Sequence, residues 1–129
     1  MLRDAPVVAI LPAADIEGTK KFYLEKLNLR PADIPAPGDD IVFEGGEGTH
    51  LYLYEREGGT KADHTVAGWR VDDVEEAVEE LRERGVVFEK YDLPGLKTDE
   101  RGVAEIDGEK AAWFKDPEGN ILAITEMGR

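Results

Sequence analysis

The 129-residue chain contains no cysteine, which excludes disulfides, thiolate nucleophiles and zinc–thiolate sites together. Histidine is nearly as scarce: His50 and His64 alone must supply any imidazole chemistry. Basic residues are outnumbered 16 to 29 by Asp and Glu, giving a formal net charge of −13. A surface that negative repels phosphate backbones, so no nucleic-acid partner is expected. No stretch approaches the roughly 18 consecutive apolar residues of a spanning helix, and Met1-Leu2-Arg3-Asp4 does not open a secretory signal. These absences lead to the expectation of a cytoplasmic protein with no membrane partner.

What is present reads as an ordinary globular chain. Hydrophobic residues make up 41% and charged residues 35%, and the length suits one domain over residues 1–129 with a substantial core. Many acids fall in Asp72-Asp73-Val74-Glu75-Glu76 and Glu79-Glu80, beside an apolar stripe, which describes a solvated helix face. The same negative charge suits attraction of a cationic ligand.

The chain repeats itself. Val7 to Leu11 is a short apolar run, followed by Asp15 as a candidate N-cap and by Ile16, Thr19, Phe22, Tyr23 and Leu27 at helical spacing. Thr65 to Val71 is a second strand candidate. After it, Asp73 precedes Val74, Ala77, Val78 and Leu81, and Gly85 marks the stop. Aligning Asp15 with Asp73 gives a constant offset of 58 residues. Each helix is followed by three β-like segments: residues 29–34, 41–44 and 49–55, then residues 86–92, 103–106 extending through 110–115, and 121–126. Gly58-Gly59-Thr60-Lys61 is the linker. The prediction is an α+β protein of two βαβββ modules, residues 5–57 and 62–127, forming a curled mixed sheet around a concave cleft.

Near the end, Ala111 to Lys115 and Ile121 to Thr125 flank Asp116-Pro117-Glu118-Gly119-Asn120. Asp116 suits hydrogen bonding to the backbone ahead, Pro117 presets φ, and Gly119 or Asn120 supplies a positive φ, which predicts a tight hairpin. Together with Asp15-Ile16-Glu17, Phe22-Tyr23 and Arg70-Val71-Asp72-Asp73-Val74, this turn resembles the vicinal oxygen chelate superfamily over nearly the whole chain, Val7 to Thr125. That group includes glyoxalase I, extradiol dioxygenases, methylmalonyl-CoA epimerase, and fosfomycin and bleomycin resistance proteins. It hosts many reactions on one scaffold, so the resemblance speaks to fold more than to activity.

In its metal-dependent members, the resemblance implies ligands on the first and fourth strands of each half, usually His, Glu or Gln. The matching positions here are Val8, Tyr52, Val66 and Ala123. Three are hydrocarbon, and a phenol with a pKa near ~10 is a poor ligand for a divalent ion. No metal and no other cofactor is expected. Strand alternation puts His50, Tyr52 and Tyr54 on one face and His64 with Val66 on another. Trp113 falls where the superfamily often places a cleft-facing aromatic, whereas Trp69 is expected beneath the helices. The candidate ligand contacts are thus Val8, His50, Tyr52, Tyr54, His64, Val66, Trp113 and Ala123, with Leu96, Lys97 and Arg101 on a long connection that flanks the cleft.

The leading expectation is a metal-free protein of the bleomycin-resistance type that binds a small organic molecule, an antibiotic or an aromatic metabolite. An alternative is a metal-independent enzyme with His50, His64 or Tyr52 as general acid or base. A third is a metal lyase or dioxygenase with relocated ligands. Superfamily members with two short halves usually pair, which implies a twofold homodimer.

Overall fold

The computed structural model describes residues 1–126, and the chain divides into two compact units, one running from Met1 to Lys61 and the other starting at Ala62. The first unit comprises β1 (Val8–Ala13), helix α1 (Ile16–Lys21) continuing as a π-turn over Phe22–Lys26, β2 (Ile41–Glu44) and β3 (His50–Glu55). Its sheet has the order β1-β3-β2, with β1 parallel and β2 antiparallel to β3. In the second unit, β4 (Thr65–Arg70) is followed by helix α2 (Val74–Glu83) and a small hairpin, β5 (Asp92–Leu93) with β6 (Leu96–Lys97). Then β7 (Val103–Ile106), β8 (Glu109–Lys115) and β9 (Ile121–Thr125) complete a sheet of order β4-β9-β8-β7, with β4 parallel to β9. The architecture is the mixed α+β one that the sequence pattern predicts.

The 58-residue offset is visible in local structure. Asp15 caps α1 by accepting from the Gly18 amide at 3.2 Å, and Asp73 caps α2 by accepting from the Glu76 amide at 3.1 Å. The first helical residues, Ile16 and Val74, are both buried. Helix α2 ends as its sequence predicts: Gly85 takes φ +94°, its amide donates to the Arg82 carbonyl, and the Val86 amide donates to the Leu81 carbonyl. That pair of bonds is the Schellman arrangement, which satisfies two of the carbonyls an ending helix leaves open. The first strands keep the offset, Ile10 matching Gly68, whereas their partners Tyr52 and Ala123 lie 71 residues apart because the second unit is longer between helix and last strand.

Two predicted strands shrink to single bridges. Residues 29–34 contribute only Pro31 against Phe43, flanked by bonds from the Ala32 amide to the Val42 carbonyl and from the Glu44 amide to the Arg30 carbonyl. Pro31 and Pro35 lack the amides that a longer ladder needs. Residues 86–92 contribute only Phe88 against Phe114 before turning into the β5–β6 hairpin, whose Pro94-Gly95 corner has Gly95 at φ +79°. What the sequence presents as one extended run from Val103 to Lys115 is two strands. Asp107 (φ 51°) and Gly108 (φ 82°) form the two-residue turn between them, and Asp-Gly is the pair such a turn favours.

In the first unit Leu11, Ala13, Leu51, Leu53 and Phe43 are buried with Ile16 and Tyr23 of α1 and its extension. In the second, Val74 and Val78 of α2 are buried with Ala112, Phe114, Leu122 and Ile124. The loop after β8 is built as expected. Gly119 takes φ +93°, its amide donates to the Asp116 carbonyl, and the Asp116 amide donates to the Asn120 carbonyl.

Candidate functional site

Alternation along the strands gives each sheet a helix-covered face and an open face. On the open face of the first unit, β1 contributes Val8 and Ile10, which stay 39% and 62% exposed despite being hydrocarbon. In register with them, β3 contributes His50, opposite Val8, and Tyr52, opposite Ile10, with Tyr54 next along the same face. Four of the residues singled out from the sequence, Val8, His50, Tyr52 and Tyr54, are therefore brought together on one strand pair. Glu44 of β2 lies opposite His50.

Tyr52 has a fixed partner. Its hydroxyl donates to Asp40 Oδ2 at 2.9 Å, while Asp40 Oδ1 accepts the Glu55 amide at 2.9 Å. The hydrogen bond to Asp40, then partial desolvation, then the carboxylate's negative charge raise the phenol above the ordinary tyrosine value. The proton is thus committed to Asp40, and Tyr52 offers a ligand its ring and an oxygen lone pair. It is unsuited to the role of general base.

On the face of the second sheet away from α2, Trp113 lies opposite Ala123, and Ala111 opposite Thr125; both alanines are buried and Trp113 is half-buried. Gly68 lies on the other side of Ala123, and a Cβ built on it would sit 2.8 Å from the Ala123 carbonyl oxygen. Small residues therefore leave Trp113 standing as the large side chain of this strip. Its ring meets that of Tyr91 edge-on, with centroids 5.6 Å apart and planes at 75°. Burial first, then the charge of Glu89, raise the Tyr91 phenol, with Lys115 opposing. Sequence reasoning missed Tyr91. The only available signal was its position near the end of the run from Val86, which the bond from the Glu89 amide to the Trp113 carbonyl ties to β8.

The remaining candidates are placed differently. Val66 falls at a β-bulge, since Thr65 lies opposite Ile121 and Ala67 already lies opposite Leu122. The bulge breaks the alternation used to pair His64 with Val66. His64 precedes β4 with its side chain 72% exposed, and its Nδ1 is 3.9 Å from Asp63. Trp69 stacks on buried Phe114 with centroids 6.4 Å apart and planes at 11°, which places it on the helix-covered face as expected. Leu96 and Lys97 belong to the β5–β6 hairpin. Arg101 is tied to α2, at 2.8 Å from Glu75 and 3.1 Å from Glu79, and so lies on the helix side of the sheet.

The superfamily's metal chemistry does not fit the side chains at the corresponding positions. Val8, Val66 and Ala123 have no donor atoms, and Tyr52 keeps its proton for Asp40. Among the described residues, no group of three or more His, Asp or Glu side chains converges as a metal site. Among the described residues, no helix is long and apolar enough to cross a membrane.

UcmS2 superposes with a TM-score of 0.71 at 18% identity, over 96% of this chain and 98% of that one. TnmS3, an antibiotic binding protein from Streptomyces sp. CB03234, gives 0.66 at 25% identity, over 96% of each chain. A lactoylglutathione lyase from Agrobacterium tumefaciens gives 0.61 at 18% identity, over 95% of this chain and 92% of that one. No curated protein sequence matches. The model of the Glyoxalase/Bleomycin resistance protein/Dioxygenase superfamily matches residues 6–124, and the chain belongs to that superfamily.

Proposed function

We propose that this protein binds a small organic molecule without a metal, stacking its planar part on Trp113. The observation that carries the reading is Trp113 rising from a strip of Ala111, Ala123 and Gly68, braced edge-on by Tyr91. A large flat ring backed by small neighbours suits a planar ligand. Val8, His50, Tyr52 and Tyr54 of the first unit and His64 and Val66 of the second are further proposed contacts. Tyr52 and His50 would serve the ligand's polar edge as hydrogen-bonding groups. TnmS3 is described as an antibiotic binding protein, and that supports an antibiotic or aromatic metabolite as the ligand class. Binding is favoured over turnover because the phenol best placed for proton transfer already donates to Asp40. The proposal has the protein working as a cytoplasmic twofold homodimer, so light scattering should give twice the 14.3 kDa of one chain.

The test is a panel of planar aromatic compounds, antibiotics included, screened by thermal shift and then titrated by tryptophan fluorescence. A stacked ligand gains ~0.5–1.5 kcal/mol beyond its buried area, so Trp113→Ala should weaken binding roughly tenfold while the free variant melts within a few degrees of the parent. A ligand that binds the variant equally well, or a variant that has lost several kcal/mol of stability, refutes the stacking role. Metal analysis of protein purified without chelators should find no stoichiometric Ni, Zn, Fe or Mn. About one equivalent per chain would overturn the metal-free reading.

A further inference from the structure

On the helix side of the second unit, a groove of about 290 Å³ runs past the end of α2. Arg82 and Gly85 line it from the helix, Val86, Phe88 and Lys90 from the segment that follows, and Arg101 from the loop before β7. Val86 and Phe88 are 5% and 7% exposed, so the floor is hydrocarbon belonging to the core. The rim is cationic, an unexpected feature in a chain of net charge −13, where bases are outnumbered 16 to 29.

Two of the three cations are held in place by a shared carboxylate. Glu79 Oε1 lies 3.1 Å from Arg101 Nη1 and 3.6 Å from Arg82 Nη1, so one acid draws both guanidinium groups to the same edge. Arg101 is further fixed by Glu75 at 2.8 Å, and Glu75 is itself shared with Lys110 at 2.9 Å. Arg82 spends one nitrogen on Glu79 and keeps its other donors, because a guanidinium carries five N–H groups. Among the described residues the Lys90 ammonium has no ion-pair partner. Among the described lining residues Glu100 is the one carboxylate, against Arg82, Lys90 and Arg101, so the lining carries an excess of positive charge. The helix end itself competes for none of these cations through its Leu81 and Arg82 carbonyls, since those accept from Val86 and Gly85.

We propose that this groove binds a compact oxyanion carrying a short apolar group, a carboxylate or a phosphate monoester. Arg82 and Lys90 grip the oxygens, Arg101 supplies positioned charge, and the apolar group rests on Val86 and Phe88. The site is separate from the Trp113 strip, so its occupancy does not depend on the ligand proposed there.

The experiment uses phenyl phosphate and benzoate, with inorganic phosphate for comparison, titrated into ¹⁵N-labelled full chain at low salt. Saturable amide shifts should centre on Gly85, Val87, Phe88 and Lys90. Phenyl phosphate or benzoate should bind more tightly than inorganic phosphate, because only the organic anions use the floor. Lys90→Glu changes an unpartnered side chain, so the fold stays intact, and affinity should fall at least about tenfold. Arg82→Gln should weaken binding with the Arg101 contacts to α2 retained. Absence of saturable shifts, shifts centred elsewhere, or equal affinity in Lys90→Glu would overturn the assignment. Binding of inorganic phosphate as tight as that of both organic anions would overturn the role of the floor.

Discussion

Replacing Asp116 by Ala should be among the most damaging single changes available outside the hydrocarbon core. Its carboxylate accepts hydrogen bonds from the Glu118 amide at 2.9 Å, the Asn120 amide at 2.9 Å and the Asn120 side-chain nitrogen at 2.8 Å. Asp116 is 4% exposed and Asn120 0%, so water reaches these groups poorly. The Glu118 amide is only part-buried and finds solvent when the carboxylate goes. The two Asn120 donors do not, and a buried donor left unsatisfied costs about 1–3 kcal/mol. A water entering the vacated volume recovers part of this, leaving a net loss of about 2–4 kcal/mol. Against a total stability of about 5–15 kcal/mol, that is a large fraction. Urea unfolding followed by circular dichroism is the measurement: the midpoint should fall with the slope unchanged. Asp116→Asn keeps an acceptor oxygen and should lose less. A loss under about 1 kcal/mol for Asp116→Ala would show that the turn is held by Pro117 and Gly119 backbone preferences instead, and would refute the reasoning.

Two other tests follow from geometry. A spectrophotometric tyrosine titration should show Tyr52 and Tyr91 ionising above the ordinary value, and both Tyr52→Phe and Asp40→Asn should remove the Tyr52 share of that late phase while leaving the Tyr91 share. Because the folded-state value is raised, the stability gained from the contact is fully present below about pH 10 and is lost as pH rises through the folded value. Unchanged titration in Asp40→Asn would sink this. Gly68→Ala should cost about 1–3 kcal/mol, since the new Cβ meets the Ala123 carbonyl oxygen at 2.8 Å and only a backbone shift relieves it. A neutral effect on thermal unfolding would show that β4 separates from β9 easily.

Features written in local chemistry were legible in the sequence. Asp15 and Asp73 cap helices by a short side chain reaching an amide three residues ahead, and Asp116 reaches two and four ahead. Residue type and spacing suffice for such contacts. The face shared by His50, Tyr52 and Tyr54 followed from alternation alone. Illegible features depend on partners distant in sequence. The Asp40 carboxylate that commits the Tyr52 proton lies 12 residues away and was not singled out. The bulge at Val66 arises in the β4–β9 pairing, and no residue nearby announces it. Tyr91 gained its place only when residues 86–92 met β8 at one bridge and turned away. The groove beside α2 was hidden for the same reason: Arg82, Lys90 and Arg101 belong to three segments that only the fold gathers.

The parallel pairing of first strand with last has a consequence for how the chain is made. Among the described residues of each unit the opening strand has no sheet neighbour other than the final one: β1 pairs with β3, and β4 with β9. During synthesis the first unit has all its strands once Glu55 has emerged from the ribosome, and it can close while the second is still being translated. The second waits longer, because Thr65 has no ladder partner until Ile121 and its followers arrive. Through that interval β4 presents an unpaired edge with Trp69 on it, the situation in which nascent chains are most prone to stick to one another. Any ribosome pause before residue 121 would lengthen this exposure, whereas one after residue 60 would give the first unit time to finish alone.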